Sequence, residues 1–205
     1  MAAGDRNWRE FVGPKERWDS QAAFQFCSLI SLGLRERHYL CDVGCGSLRA
    51  GRLFIPYLER CRYHGIEPEG WLLEQGITEH VGHDLKVKRW PTFIWGRTDF
   101  PLSEFGVKFD YVLAQSILTH TGPEQVDQFL AESAKALAPD GMIVANWQES
   151  RTGRCAEKPG WTYPGCVPYT EKFMREAGLR VGLRLRRHQV AAAGLICSWG
   201  VWEAL

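Results

Sequence analysis

At 205 residues, with 25 lysines and arginines against 24 aspartates and glutamates, the chain carries a formal net charge of +1. That length suits one domain with a sizeable core, and the near-neutral balance, with a pI near 7.6, excludes a general electrostatic pull toward nucleic acid or a membrane surface. No positively charged start with a continuous apolar segment behind it and no apolar run of bilayer-spanning length is seen, so a cytoplasmic protein is expected.

Trp18, Ala22, Phe26, Leu29 and Ile30 fall at helical spacing ahead of Gly33, which predicts a helix on the sheet edge that stops at the glycine. A strand over 37–43 then feeds the turn Gly44-Cys45-Gly46-Ser47, and a helical run over 48–60 follows. A second strand, Arg62-Tyr63-His64-Gly65-Ile66, closes on Glu67, where a carboxylate can take both hydroxyls of a ribose. This is the layout of a nucleotide-type cofactor site. His80 and His83 lack a third ligand and read as polar surface residues, so no metal is expected.

Farther along, Thr121-Gly122-Pro123-Glu124 reads as a capping box with an early proline that opens a helix. The segment 147–169 is too long for a plain connection and holds Arg151, Arg154, Trp161, Tyr163 and Tyr169. Thr170 is the predicted cap of the next helix and Gly178 its end. Arg184, Arg186 and His188 alternate against apolar residues and read as a solvated face. Seven cysteines, at 27, 41, 45, 61, 155, 166 and 197, form no Cys-x-x-Cys pair and read as reduced thiols. Strand-like and helix-like segments alternate throughout, which implies a parallel α/β sheet with helices on both faces.

Two residues bear on which cofactor fits. A dinucleotide fold wants a third glycine or alanine close behind the first two, and Arg49 stands there instead. Asp42, two residues before Gly44, would face a pyrophosphate with like charge, yet it suits an ammonium or sulfonium group. That charge pattern is the one S-adenosylmethionine presents.

Asp42-Val43-Gly44-Cys45-Gly46-Ser47 and Gly65-Ile66-Glu67-Pro68 resemble the first two motifs of class I S-adenosylmethionine-dependent methyltransferases of the small-molecule type. The run from Phe109 to Ser116 is similar to that family's fourth strand, and the run from Leu137 to Val144 to the turn into its fifth. Leu48 departs from the pattern, standing where many members have a third glycine. The resemblance implies a single-domain, Rossmann-like, seven-stranded, mostly parallel sheet with an antiparallel last strand, 179–188 and 194–202 being its last strand pair. It divides 1–205 into an N-terminal helical cap (1–36), a cofactor-binding core (37–147), a substrate loop (148–170) and a last helix with a strand pair (171–205). Trp8 and Phe11 would belong to a lid over the cofactor.

What the resemblance implies for single residues can be set beside their chemistry. Gly44, Cys45, Gly46 and Ser47 would line the methionine part, Asp42 its ammonium end, and Glu67 the ribose. Asp99 and Phe100, in the loop after the third strand, would hold the adenine, the acid accepting from its amine and the amide of Phe100 donating to a ring nitrogen. Gln115 and Ser116 end the fourth strand, where α/β sheets bind ligands. His120 follows as the candidate general base, since an imidazole titrates near neutrality, and Trp161 and Tyr163 would cover a sugar or aromatic ring. The expected function is methylation of a small-molecule hydroxyl, on a sugar, glycolipid or secondary metabolite, by a monomer or homodimer without nucleic-acid or membrane partners. A protein methyltransferase, a cyclase, or a protein that binds the cofactor without transferring its methyl are the alternatives.

Overall fold

The computed structural model describes residues 7–188 and 197–205, which form two compact units, one ending at Thr98 and one running from Asp99. The first contains α1 (Trp8–Phe11), α2 (Trp18–Ser31), β1 (Leu40–Val43), α3 (Gly51–Tyr57), β2 (Tyr63–Glu67), α4 (Gly70–Gly76), α5 (Gly82–Arg89) and β3 (Thr92–Trp95). β2 lies between β1 and β3 and is parallel to both, with Asp42 opposite Gly65 and Glu67 opposite Trp95. Every residue of β1 and β2 is buried, as a parallel strand covered on both faces requires. Helix α2 buries Trp18, Ala22 and Leu29 as its spacing predicts, and Gly33 ends that segment at φ +101°.

Three expected boundaries move, the helix expected over 48–60 ending early, at Tyr57. β1 starts at Leu40 because residues 35–38 close on themselves: the His38 amide donates to the Arg35 carbonyl, and the Arg35 amide to His38 Nδ1, each at 3.0 Å. The helix after the glycine turn begins at Gly51 rather than Leu48, because Leu48 takes the left-handed conformation at φ +59°. That conformation costs a non-glycine residue about 1–2 kcal/mol. Full burial of the Leu48 side chain is what opposes the cost.

The second unit contains β4 (Phe109–Ala114), α6 (Pro123–Ala136), β5 (Leu137–Glu149), β6 (Pro168–Tyr169), α7 (Glu171–Arg180), β7 (Leu183–Arg187) and β8 (Cys197–Ala204). Its strands run in the order β4-β5-β8-β7, with β4 and β5 parallel and β8 antiparallel to both of its neighbours. The mostly parallel arrangement with antiparallel C-terminal strands is thus present, and the short β6 adds to it, parallel to the end of β5. Between Phe109 and Tyr111 the β4–β5 register slips from Leu137 to Met142, so residues 138–141 bulge. Gly141 is needed there, since a Cβ would lie 2.6 Å from the Phe109 carbonyl oxygen.

Gly178 does not end α7, which continues to Arg180, and β7 therefore starts at Leu183 instead of Leu179. The glycine serves packing: a Cβ would lie 2.7 Å from the Trp202 ring of β8. Thr170 does cap α7, its hydroxyl accepting from the Phe173 amide at 3.1 Å. Along β7, Leu183 and Leu185 are buried while Arg184 and Arg186 face solvent, and Arg186 pairs with Glu203. Of the last expected strand, residues 194–196 lie outside the described residues. No helix among the described residues is long and apolar enough to cross a membrane.

Candidate functional site

In the first unit, β1 delivers Asp42 and β2 delivers Glu67 to the glycine turn between β1 and α3. Three amides of the turn bond to β2: Gly44 and Cys45 both donate to the Ile66 carbonyl, at 2.8 and 3.1 Å, and Gly46 donates to Glu67 Oε2 at 2.8 Å. Glu67 Oε1 accepts from the Glu69 amide at 2.9 Å. Burial is the larger influence on this carboxyl and raises its pKa to about 7, against the two amide bonds that lower it. Cys45 turns its sulfur toward β2, where a Cβ on Gly65 would lie 2.8 Å away.

Asp42 is buried and accepts a hydrogen bond from the Tyr63 hydroxyl at 2.8 Å. Desolvation raises its pKa to about 6, while the Tyr63 bond and the Arg49 guanidinium pull the other way. Arg49 donates to the Val12 carbonyl at 2.8 Å, and the buried Ser47 hydroxyl to the Trp8 carbonyl at the same distance. These bonds fasten α1 and the residues behind it onto the glycine turn. The fit is close enough that a Cβ on Gly46, itself at φ +55°, would sit 2.7 Å from Val12 Cγ1. Trp8 packs edge-on against Trp18 and His80, and Phe11 against Trp71. His80 is thus part of an aromatic cluster, and among the described residues no group of three or more His, Cys, Asp and Glu side chains could hold a metal ion.

The second unit gathers the remaining candidates in two places. Gln115 and Ser116 follow β4, the Gln115 amide donating to the Ser116 hydroxyl at 3.0 Å, and Ser116 is left-handed at φ +58°. Nearby in sequence, His120 presents Nδ1 to the Gly165 carbonyl at 2.6 Å and packs edge-on against Tyr163, with ring centroids 5.0 Å apart. The loop from 150 to 167 is laced to this segment. Gly122 donates to the Gly160 carbonyl at 3.0 Å, Thr162 to the His120 carbonyl at 2.8 Å, and Val167 to the Thr119 carbonyl at 2.8 Å. Trp161 bridges Thr121 and sets its ring 5.8 Å from that of Phe100, whose side chain is buried against Phe129. Asp99 is exposed, and its carbonyl accepts from Gln128 at 3.4 Å.

The expected capping box differs in its members. Gly122 is the cap of α6 with Pro123 behind it, and Gln125 rather than Glu124 takes the Gly122 amide, at 2.9 Å. Thr121 instead donates back to Leu118. Glu124 accepts from the Gly160 amide at 2.7 Å, so an acid read as a cap is an anchor for the loop that carries Trp161.

A family model described as a methyltransferase domain matches residues 41–143, half of the chain. The chain belongs to the class I S-adenosylmethionine-dependent methyltransferases. This methyltransferase is also similar in fold to magnesium protoporphyrin IX methyltransferase from Synechocystis, solved with S-adenosylhomocysteine bound, at 14% identity and a TM-score of 0.70, over 97% of this chain and 92% of that one. The CcbJ methyltransferase from Streptomyces caelestis gives 14% identity and a TM-score of 0.68, over 97% of this chain and 100% of its own. An amino pentose methyltransferase of calicheamicin biosynthesis from Micromonospora echinaspora, with S-adenosylmethionine bound, gives 16% and 0.65, over 92% of each.

S-adenosylmethionine is the cofactor of the methyltransferase, and the chemistry of the first unit fits it. Two buried carboxyls with raised pKa values, Asp42 and Glu67, gain from a ligand that brings positive charge and hydroxyl donors. Tyr63, Arg49, Glu124 and Asn146, whose Oδ1 accepts from the Ser116 amide, make contacts that the sequence reading leaves unassigned. A signal existed for two of them: Arg49 is a cation inside a glycine turn, and Asn146 a lone amide in the apolar run Met142–Trp147.

Proposed function

We propose that the methyltransferase acts on a hydroxyl of a small, ring-bearing molecule, such as a sugar, glycolipid or secondary metabolite, with His120 as general base. The observation that carries this is the Gly165 carbonyl beside His120 Nδ1. The Gly165 carbonyl oxygen 2.6 Å from Nδ1 can only accept, so Nδ1 holds the proton and Nε2 keeps its lone pair. Burial lowers the pKa of the imidazole, against the Gly165 bond that raises it, which keeps the ring neutral at pH 7. Trp161 and Tyr163 are each more than a third exposed next to it in the same loop, a surface suited to a sugar or aromatic ring. A porphyrin and an amino pentose in the names of two proteins of similar fold are in keeping with such an acceptor.

S-adenosylmethionine supplies a methyl carbon already activated by a positively charged sulfur. Glu67 would take the ribose hydroxyls and Asp42 the ammonium group, while the turn from Gly44 to Ser47 lies along the methionine part. Asp99 and Phe100 would serve the adenine, and Gln115 and Ser116 the edge of the site after β4. Held there, the cofactor would supply its methyl carbon to the acceptor oxygen, with the electron pair of the broken carbon–sulfur bond staying on sulfur. The hydroxyl proton passes to His120 Nε2, a transfer worth roughly 10²–10⁴-fold in rate.

Screening hydroxylated sugars and phenols with S-adenosylmethionine, and following S-adenosylhomocysteine release, tests the reading. With the acceptor found, His120→Ala should lower kcat about 100-fold or more while cofactor affinity holds. Normal turnover by that variant would remove the base, and acceptors confined to amines or protein side chains would remove the hydroxyl.

A further inference from the structure

We propose that Asn146 is a positioning residue for the methyl transfer, because its side-chain amide holds the turn after β4 in a backbone form that the residues of the turn do not favour. Asn146 lies near the carboxyl end of β5 and is 1% exposed. Its Oδ1 accepts from the Ser116 amide at 2.6 Å. The same side chain also interacts with Cys197 of β8.

The recipient of the first bond is unusual. Ser116 sits at φ +58°, a conformation that costs any residue with a Cβ and costs glycine nothing. The short bond from a buried, fixed acceptor selects that conformation over the relaxed one. The turn then runs on without a break, since the His120 amide donates to the Ile117 carbonyl at 2.9 Å. Asn146 in this way sets the path of Gln115 and Ser116 and the starting point of His120. For its effect on turnover the role rests on the reading of His120 as the base.

The test combines Asn146→Ala with Ser116→Gly and reads both turnover and hydrogen exchange at the residue 116 amide by nuclear magnetic resonance. Asn146→Ala should lower kcat about 10-fold or more and speed exchange at that amide, with the acid limb of the pH profile unmoved. Adding Ser116→Gly should return several-fold of the lost kcat, because glycine holds the left-handed turn without help. Wild-type kcat and protection in Asn146→Ala would overturn the role, as would a loss that Ser116→Gly leaves untouched. If Asn146→Ala does not fold, Asn146→Ser, polar but too short to reach Ser116, reads the same exchange. Full turnover in His120→Ala would sink the base reading alone, since exchange at Ser116 reports the turn without turnover.

Discussion

Glu67 accepts a hydrogen bond from the Gly46 amide across 2.8 Å, so the acid that ends β2 and the glycine turn behind β1 are joined at the backbone. The ribose assignment therefore involves a side chain whose orientation is already fixed by Gly46 and Glu69. Glu67→Ala should abolish S-adenosylmethionine binding in calorimetry while circular dichroism still shows a folded protein. A folded variant that binds as tightly as wild type would remove the ribose role.

The same two carboxyls set a pH dependence. Burial lifts Asp42 from 3.8 to about 6 and Glu67 from 4.5 to about 7, so the folded protein binds protons more tightly than the unfolded chain. Their joint contribution to stability accordingly falls as pH rises from about 4 to about 7 and is level above that. Each shift corresponds to about 3 kcal/mol as an upper order of magnitude. On the proposed roles of Asp42 and Glu67, cofactor affinity should run the other way, because an ammonium group and ribose hydroxyls favour the ionised acids. Titrations at pH 5.5 and pH 8 should show weaker binding at the lower pH, and Glu67→Gln should flatten the fall in melting temperature of the ligand-free protein.

Gly46 and Val12 form a pair that substitution can separate. A Cβ at Gly46 would press on Val12 Cγ1 at 2.7 Å and would hold a left-handed backbone at φ +55°. Gly46→Ala should cost about 2–4 kcal/mol in denaturant unfolding, the sum of strain and overpacking. Adding Val12→Ala should recover the overpacking part and leave the strain. Equal stabilities of the single and double variants would show that Val12 does not seat on the turn.

The loop proposed to hold the acceptor hangs on Gly122. A Cβ there would lie 2.7 Å from the Lys158 carbonyl oxygen and 2.9 Å from the Gly160 amide nitrogen, both backbone atoms that cannot rotate away. Gly122→Ala should shift Trp161 and raise the acceptor KM several-fold, with the affinity for S-adenosylhomocysteine within about 2-fold of wild type. Unchanged acceptor KM would detach the loop from substrate binding.

Periodicity and local chemistry alone marked much of this protein. Trp18 to Gly33, the buried run that became β2, and Thr170 as a cap are properties of neighbouring residues and fold close to where they are read, while β1 keeps only the last four residues of its expected run. Asp42 before a glycine turn carried the charge argument that separates a sulfonium cofactor from a pyrophosphate. Contacts between residues far apart in sequence were decided only by the tertiary structure. Gly178 reads as a helix stop until Trp202 of β8 is seen against it, and Leu48 reads as a helix start until its burial is seen to hold a left-handed turn. Glu124 looks like a capping acid because Gly160, 36 residues away, is invisible at its side. His120 was legible as a residue type, but its tautomer is set by a carbonyl 45 residues on. Helix and strand periods are short-range properties of a chain, whereas the direction of a hydrogen bond into a site depends on which distant backbone the fold brings to it.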